Sequence, residues 1–184
     1  MGFGQDVSVP DDMPASIPCY LSLGSNLGQR EENLRQAVAH VETVMVVTAV
    51  SAVYETPPWG VTDQPDFLNI CLAGQTTLPP RPLLTALRAI ETQMGRQPTY
   101  RWGPRLIDID LLFYGDWIIS DADLVIPHPR LAERAFVLAP LADIAPDFIH
   151  PQNRKTVSAM LAELDCSGLR HRLAWQAQPE ALHG

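Results

Sequence analysis

Between Arg101 and Leu112 the chain reads RWGPRLIDIDLL, an apolar, β-prone run with two carboxylates set two residues apart. A strand reconciles that spacing with burial, because side chains alternate across an extended backbone: Asp108 and Asp110 share one face, and Ile107, Ile109 and Leu111 take the other. At a rise of ~3.3 Å per residue the carboxylates sit about 6.6 Å apart, where like charges at an effective dielectric of ~20 repel by roughly 2.5 kcal/mol. Such a pair calls for a cation. Oxygen ligands of this kind suit Mg²⁺, which takes one or two protein carboxylates, keeps several waters and fills its other positions with phosphate. Arg101 and Arg105 precede Asp108 by seven and three residues and bring positive charge beside it. The combination points to phosphate chemistry on a nucleotide, although an isolated Asp-x-Asp is more often the solvated face of an antiparallel sheet.

The remaining chain supplies partners for that strand. Cys19 to Leu23 reads as a strand running into Gly24-Ser25-Asn26, where Asn26 and Gln29 have the spacing of a helix cap; the turn is either a phosphate cradle or a plain cap. Leu34, Val38, Val41 and Met45 mark one helix face, and Val46 to Tyr54 a second strand. A proline-rich loop to Pro65 carries Trp59, which either caps a core or lines a pocket. In the strand Phe67 to Thr76, Leu68, Ile70 and Leu72 form the core face. Phe67, Asn69 and Cys71 take the opposite face, where the ring beside the amide is either an exposed strand face or what a flat, hydrogen-bonding heterocycle requires. Leu83, Leu87, Ile90 and Met94 make a helix closed by Gly95, followed by an arginine-bearing loop to Arg105 that could close over substrate. After the Asp108 strand, Gly115-Asp116 signals a hairpin into Trp117-Ile118-Ile119. Val125 to Arg130 is extended, Leu131, Ala135, Leu138 and Leu141 share a helix, and Val157, Met160, Leu161 and Leu164 mark a last one. From Gly168 onward no pattern is visible. The order strand, helix, strand, strand, helix, strand is that of a ferredoxin-like α+β sandwich, an antiparallel sheet with helices packed on it and extra C-terminal strands and helices.

At 184 residues and 46% apolar content, one buried core is expected. The expected division is a flexible leader over 1–17, a single domain over 18–167 and a tail over 168–184. No stretch approaches the roughly 18 apolar residues of a membrane span, and the N-terminus lacks the basic start and apolar run of a secretory signal. A net charge of -8 argues against a general nucleic-acid binder. Cys19, Cys71 and Cys166 are odd in number and far apart, so neither a disulfide framework nor a zinc site is indicated, and a reducing cytoplasm fits best. Of 13 basic residues only Lys155 is a lysine, while Arg96, Arg101, Arg105, Arg130 and Arg134 fall within 39 residues. With no Gly-x-x-x-x-Gly-Lys-Ser/Thr loop, a triphosphate would be held by arginine forks and metal.

The dodecamer resembles the signature of the hydroxymethyl-dihydropterin pyrophosphokinase family, in which a basic residue, a spacer, Gly-Pro-Arg, two more residues and Asp-hydrophobic-Asp follow in order. The stretch from Thr56 to Asn69, TPPWGVTDQPDFLN, resembles the same family's pterin-binding segment, and the likeness runs from residue 19 to about 150. This resemblance implies transfer of pyrophosphate from ATP to 6-hydroxymethyl-7,8-dihydropterin by a cytoplasmic monomer, with two Mg²⁺ ions on Asp108 and Asp110 and no nucleic-acid or membrane partner. It further implies that Arg96 and Arg105 contact the triphosphate, and that Phe67 and Phe136 sandwich the pterin. Thr56, Pro57, Trp59 and Asn69 would meet its edge, and Trp102 would cover the pocket towards the nucleotide. Glu91, Leu111, His128 and Arg134 would lie on the nucleotide side. Outside its Ile-Pro-His-Pro-Arg context, His128 reads as a structural histidine. The chain departs from the family's pattern in a shorter loop after Gly95 with Gln97-Pro98-Thr99 in place of a further arginine, in Phe67 for tyrosine, and in Pro129 after His128. Without the resemblance, a non-catalytic α+β interaction module and a two-metal phosphohydrolase or nucleotidyltransferase stay open.

Overall fold

In the computed structural model, which describes residues 16–58, 63–95 and 103–175, the alternating segments become the centre of one antiparallel sheet. β1 (Ile17–Ser25) lies between β4 (Phe67–Thr76) and β5 (Asp108–Tyr114). β4 pairs on its other side with β2 (Val46–Val50) along one half and β3 (Val53–Thr56) along the other, and β8 (Arg170–Leu173) adds to β3. A separate two-stranded sheet joins β6 (Ile119–Ser120) to β7 (Val125–Ile126). Helices α1 (Arg30–Val41) and α2 (Pro80–Gln93) cover one face of the large sheet, while α3 (Ala135–Ile144) and α4 (Val157–Ala162) cover part of the other.

Alternation explains this layering. Leu21, Leu23, Leu68, Ile70 and Leu72 point from β1 and β4 to Leu34, Val38 and Val41 of α1 and Leu83, Leu87 and Ile90 of α2. Each fully buried aliphatic chain contributes roughly 2 kcal/mol. Prolines 79 and 80 suit the start of α2, where the missing N–H costs nothing, and Gly95 ends it at φ +89°. The opposite face is also core over half its length: Cys71, fully buried, packs with Val137, Leu138 and Leu141 of α3. Among the described residues, that face stays open at the Phe67 and Asn69 end.

One register shift sets where the open part stops. Between β1 and β5 the pairing slips by a residue at Leu112, so that Leu112 and Phe113 both reach the α3 side while Tyr114 turns to the α1 side. The Leu112 carbonyl accepts a hydrogen bond from the His128 N–H at 3.0 Å, which pins the segment after β7 against the end of the acidic face.

Several expectations from sequence are corrected. β1 begins at Ile17, two residues ahead of Cys19. The run Val46 to Tyr54 is two strands, parted where the Ser51 hydroxyl accepts from the Cys71 N–H and donates to the Ala52 carbonyl. β6 pairs with β7 and not back onto β5. Leu131 lies in a 3-10 turn (Leu131–Glu133) separated from α3 by an extended Arg134. Residues after Gly168 form β8, invisible to periodicity because a polar Arg-His-Arg-Leu edge carries no apolar signal. Asn26 does not cap α1; the helix starts at Arg30 with no side-chain cap, and the buried Asn26 amide has other partners.

Gly74 is where β4 tolerates no side chain. A Cβ there would meet the Met45 methyl inside contact distance and the Val46 carbonyl oxygen at 2.5 Å. Gly74→Ala is expected to destabilise the fold by about 1–3 kcal/mol, as overpacking does; the melting temperature checks it, with Gly168→Ala, whose Cβ would meet only Pro57 at 3.5 Å, as the mild control.

Candidate active site

Sheet register assembles the open face. Gly24 of β1 stands opposite Asn69 of β4 and Asp108 of β5, and Ser22 stands opposite Cys71 and Asp110. Two adjacent rows across three strands therefore place Asn69 and the two aspartates on one surface, with the small residues Ser22 and Gly24 as the floor between them. The floor must be small: a Cβ on Gly24 would come within 3.0 Å of Asn69 Oδ1 and 3.6 Å of the Phe67 ring. Asn69 Nδ2 donates to Thr56 Oγ1 at 2.9 Å, which orients the amide from the neighbouring strand.

The cavity above this floor is lined by Ser22, Gly24, Thr56, Pro57, Phe67, Asn69, Gly103, Arg105, Asp108, Asp110, His128, Arg134 and Phe136. Ten residues singled out in the sequence thus meet in one place: Thr56, Pro57, Phe67, Asn69, Arg105, Asp108, Asp110, His128, Arg134 and Phe136. Trp59, Arg96 and Trp102 lie outside the described residues. Leu111 and Glu91 do not line the cavity. Leu111 belongs to the core on the α1 and α2 side. Glu91, 5% exposed, accepts a 2.7 Å hydrogen bond from the Ile109 N–H and thereby ties α2 to β5. Sequence reasoning passed over Ser22 and weighed Gly24 only as part of a turn, although the alternation Leu21-Ser22-Leu23-Gly24 carried the signal of a strand with one small, polar face.

Charge is arranged in pairs. Arg105 Nη1 donates to Asp108 Oδ1 at 2.7 Å, and Arg134 Nη1 donates to Asp110 Oδ2 at 3.4 Å. The Arg134 guanidinium also lies 5.6 Å from the centre of the Phe136 ring. Burial, reinforced by the neighbouring Asp108 carboxylate, pushes Asp110 up to about 7 despite Arg134. Its side chain keeps 31% exposure, but that surface faces a concave, low-dielectric pocket and gains little solvation. Burial, with Arg134 alongside, lowers His128 to about 4, so the imidazole is neutral at pH 7 and its 3.8 Å approach to Asp110 is no ion pair. Because His128 Nδ1 accepts from the Arg130 N–H, the ring proton falls on Nε2, which faces Asp110. The site is an acidic pair needing a cation, flanked by arginines, beside an apolar slot with a hydrogen-bonding amide.

The profile of one family, described as 7,8-dihydro-6-hydroxymethylpterin-pyrophosphokinase, matches residues 20–146. The chain belongs to this family. Curated relatives named 2-amino-4-hydroxy-6-hydroxymethyldihydropteridine pyrophosphokinase are similar along most of their length. The Methylorubrum extorquens enzyme is 49% identical over 152 residues, covering 82% of this chain and 95% of the relative. The Bacillus subtilis enzyme is 44% identical over 153 residues, covering 82% and 87%. Among solved structures, Plasmodium falciparum HPPK-DHPS superposes with a TM-score of 0.68 at 18% identity, over 80% of this chain and 44% of that one. The chain thus spans less than half of that longer protein, and the likeness there is one of fold. The matched pyrophosphokinase region runs from β1 to just past α3 and contains every described cavity residue.

Proposed function

We propose that this pyrophosphokinase transfers pyrophosphate from ATP to the hydroxymethyl group of 6-hydroxymethyl-7,8-dihydropterin, giving AMP and the pterin diphosphate for folate synthesis. The observation that carries the reading is the single cavity in which Asp108, Asp110, Arg105 and Arg134 face Phe67, Asn69 and Phe136. The strand order β5-β1-β4-β3 with both crossover helices on one face supports a ferredoxin-like sandwich as its scaffold.

The donor set fits Mg²⁺. Asp108 and Asp110 supply hard oxygens from one strand face, the donor type of an ion completed by water and phosphate. Asp108 and Asp110 would hold two Mg²⁺ ions, whose positive charge would offset the negative charge that repels an incoming nucleophile. Arg105 and Arg134 lie where guanidinium forks can take the phosphates, and the resemblance gives Arg96 the same role. His128, neutral with its proton on Nε2, donates a hydrogen bond without adding charge. Phe67 and Phe136 hold the flat bicycle, an arrangement worth roughly 1–3 kcal/mol per stacked ring. Thr56 and Asn69 fix its edge beside Pro57, and the resemblance gives Trp59 and Trp102 the role of closing the slot. The pterin hydroxymethyl oxygen forms a bond to the β-phosphorus as the bond from that phosphorus to the α-phosphate oxygen breaks; AMP leaves and the hydroxyl proton passes to solvent. Positioning and charge stabilisation dominate such transfers, so the reading assigns no residue as a general base. Glu91 and Leu111 act behind the site by holding β5. We place the protein in the cytoplasm as a monomer and read its catalytic unit as one domain, with ATP and the pterin as its small-molecule substrates.

Incubation with ATP, Mg²⁺ and the hydroxymethyl-dihydropterin tests this directly. AMP and pterin diphosphate are expected; ADP, or no turnover, rejects it.

Proton linkage gives a second expectation. With the folded Asp110 held near 7, above its ordinary value of 3.8, its contribution to stability is fully present below about pH 4 and is lost as pH rises through 7. A cation on the ionised carboxylate reverses that loss. The rise in melting temperature caused by Mg-ATP should therefore be larger at pH 8 than at pH 5.5, with proton release on binding between; an equal rise at both values contradicts the assignment.

A further inference from the structure

Asn26 lies just past β1 and is 1% exposed, yet it does not line the cavity. Its Oδ1 accepts the Arg105 N–H at 2.8 Å, and its own N–H donates to the Arg105 carbonyl at 3.1 Å. Its Nδ2 donates to Gln64 Oε1 at 3.0 Å and to the Pro65 carbonyl at 3.1 Å. One short side chain thus joins two segments that are 40 residues apart in sequence, counted from Pro65 to Arg105. Each leads straight into the site: Pro65 stands two residues before Phe67, and Arg105 carries the guanidinium on Asp108. The amide orientation is fixed by these partners. A flipped amide would set a donor against the Arg105 N–H and an acceptor against the Pro65 carbonyl. Asparagine alone among short side chains offers an acceptor and two donors in one plane; aspartate keeps the acceptor and loses the donors, and serine is too short to span both segments.

We propose that Asn26 is a positioning residue that sets the distance between the pterin-side segment at Gln64-Pro65 and the phosphate-side Arg105. This role rests on the pyrophosphokinase reading. Arg30 supports the same arrangement by donating from Nη1 to the Asp66 carbonyl at 2.6 Å, so two successive residues of the pterin-side segment are held, Pro65 by Asn26 and Asp66 by the start of α1. Asn26 itself touches neither ligand slot, and its loss acts only through Phe67 and Arg105.

The two arms can be cut separately. Asn26→Asp retains the acceptor for the Arg105 N–H but removes both donors and sets a carboxylate against the Pro65 carbonyl. It is expected to raise KM for the pterin roughly tenfold, the usual effect of an unmatched buried polar contact, while KM for ATP stays within about twofold. Asn26→Ala cuts both arms and should raise both KM values and lower kcat. Hydrogen exchange on the full chain gives a readout independent of turnover: in Asn26→Asp exchange accelerates over residues 63–69 but not at Arg105, whereas in Asn26→Ala it accelerates at both. Gln64→Ala, which leaves Asn26 in place, carries the test if Asn26→Ala does not accumulate as folded protein, and should raise only the pterin KM. A lower melting temperature with unchanged KM values and an unsplit exchange pattern overturns the proposal. If the wild-type protein turns over no pterin, the functional reading fails by itself, and the split exchange pattern still decides whether Asn26 ties the two segments.

Discussion

Asp108→Ala and Asp110→Ala are each expected to lower kcat on the order of a thousandfold, a loss of several kcal/mol of charge stabilisation, with pterin affinity changed by no more than about twofold because neither carboxylate touches the stacking slot in the functional reading. The two variants differ in a way that identifies them. Removing Asp108 takes away the like charge that helps hold Asp110 near 7, so the Asp110 carboxyl should ionise at lower pH and the residual activity should move to lower pH with it. Removing Asp110 leaves Arg134 beside the cavity without its 3.4 Å carboxylate partner. Asp110→Asn keeps the shape and an acceptor for Arg134 but not the charge, and should be as inactive as Asp110→Ala. Single-turnover rates and pterin binding measured by tryptophan fluorescence separate the two effects. A defect seen in pterin affinity alone removes the aspartates from their assigned role.

Arg105→Ala should cost roughly a hundredfold in kcat/KM for ATP, in the range found when one preorganised donor to a developing charge is removed. Arg105→Lys should recover only a small part of this. The side chain sits 2.7 Å from Asp108 with 21% exposure, and the planar fork can hold a carboxylate and a phosphate oxygen together, whereas an ammonium acts as a point charge. The backbone of Arg105 is bound at both its N–H and its carbonyl by Asn26, so both variants should leave the melting temperature nearly unchanged. Initial rates at varied ATP, with the pterin saturating, provide the measurement. Full activity in Arg105→Lys would show that charge alone is used there.

How far the sequence was legible depends on how local each cause is. Phe67 with Asn69, and Asp108 with Asp110, share faces because strand periodicity is a property of the strand itself, and both pairs were readable. That the two pairs face one cavity needed the register Asn69, Gly24, Asp108, which long-range pairing decides. The break at Ser51 follows from a hydroxyl bonded to Cys71, twenty residues away. β8 has no apolar pattern and is held to β3 by backbone pairing and by Arg170 lying within 4.0 Å of Glu55 and 3.8 Å of Asp66. Asn26 misled for the opposite reason: its spacing satisfied a local capping rule, but tertiary partners claimed the amide. Glu91 is a parallel case in a helix: the resemblance implied the nucleotide side, and periodicity gave no sign that its carboxylate accepts from the Ile109 N–H of β5.

That bond between Glu91 and the Ile109 N–H has a further effect, together with the one from the His128 N–H to the Leu112 carbonyl. β5 is the last strand on its side of the large sheet, and its outward backbone groups would otherwise template the addition of a stray extended segment. With a donor and an acceptor along that margin already engaged, foreign chains are discouraged from zippering onto the acidic strand, and intermolecular β-pairing is turned away where it would do most harm.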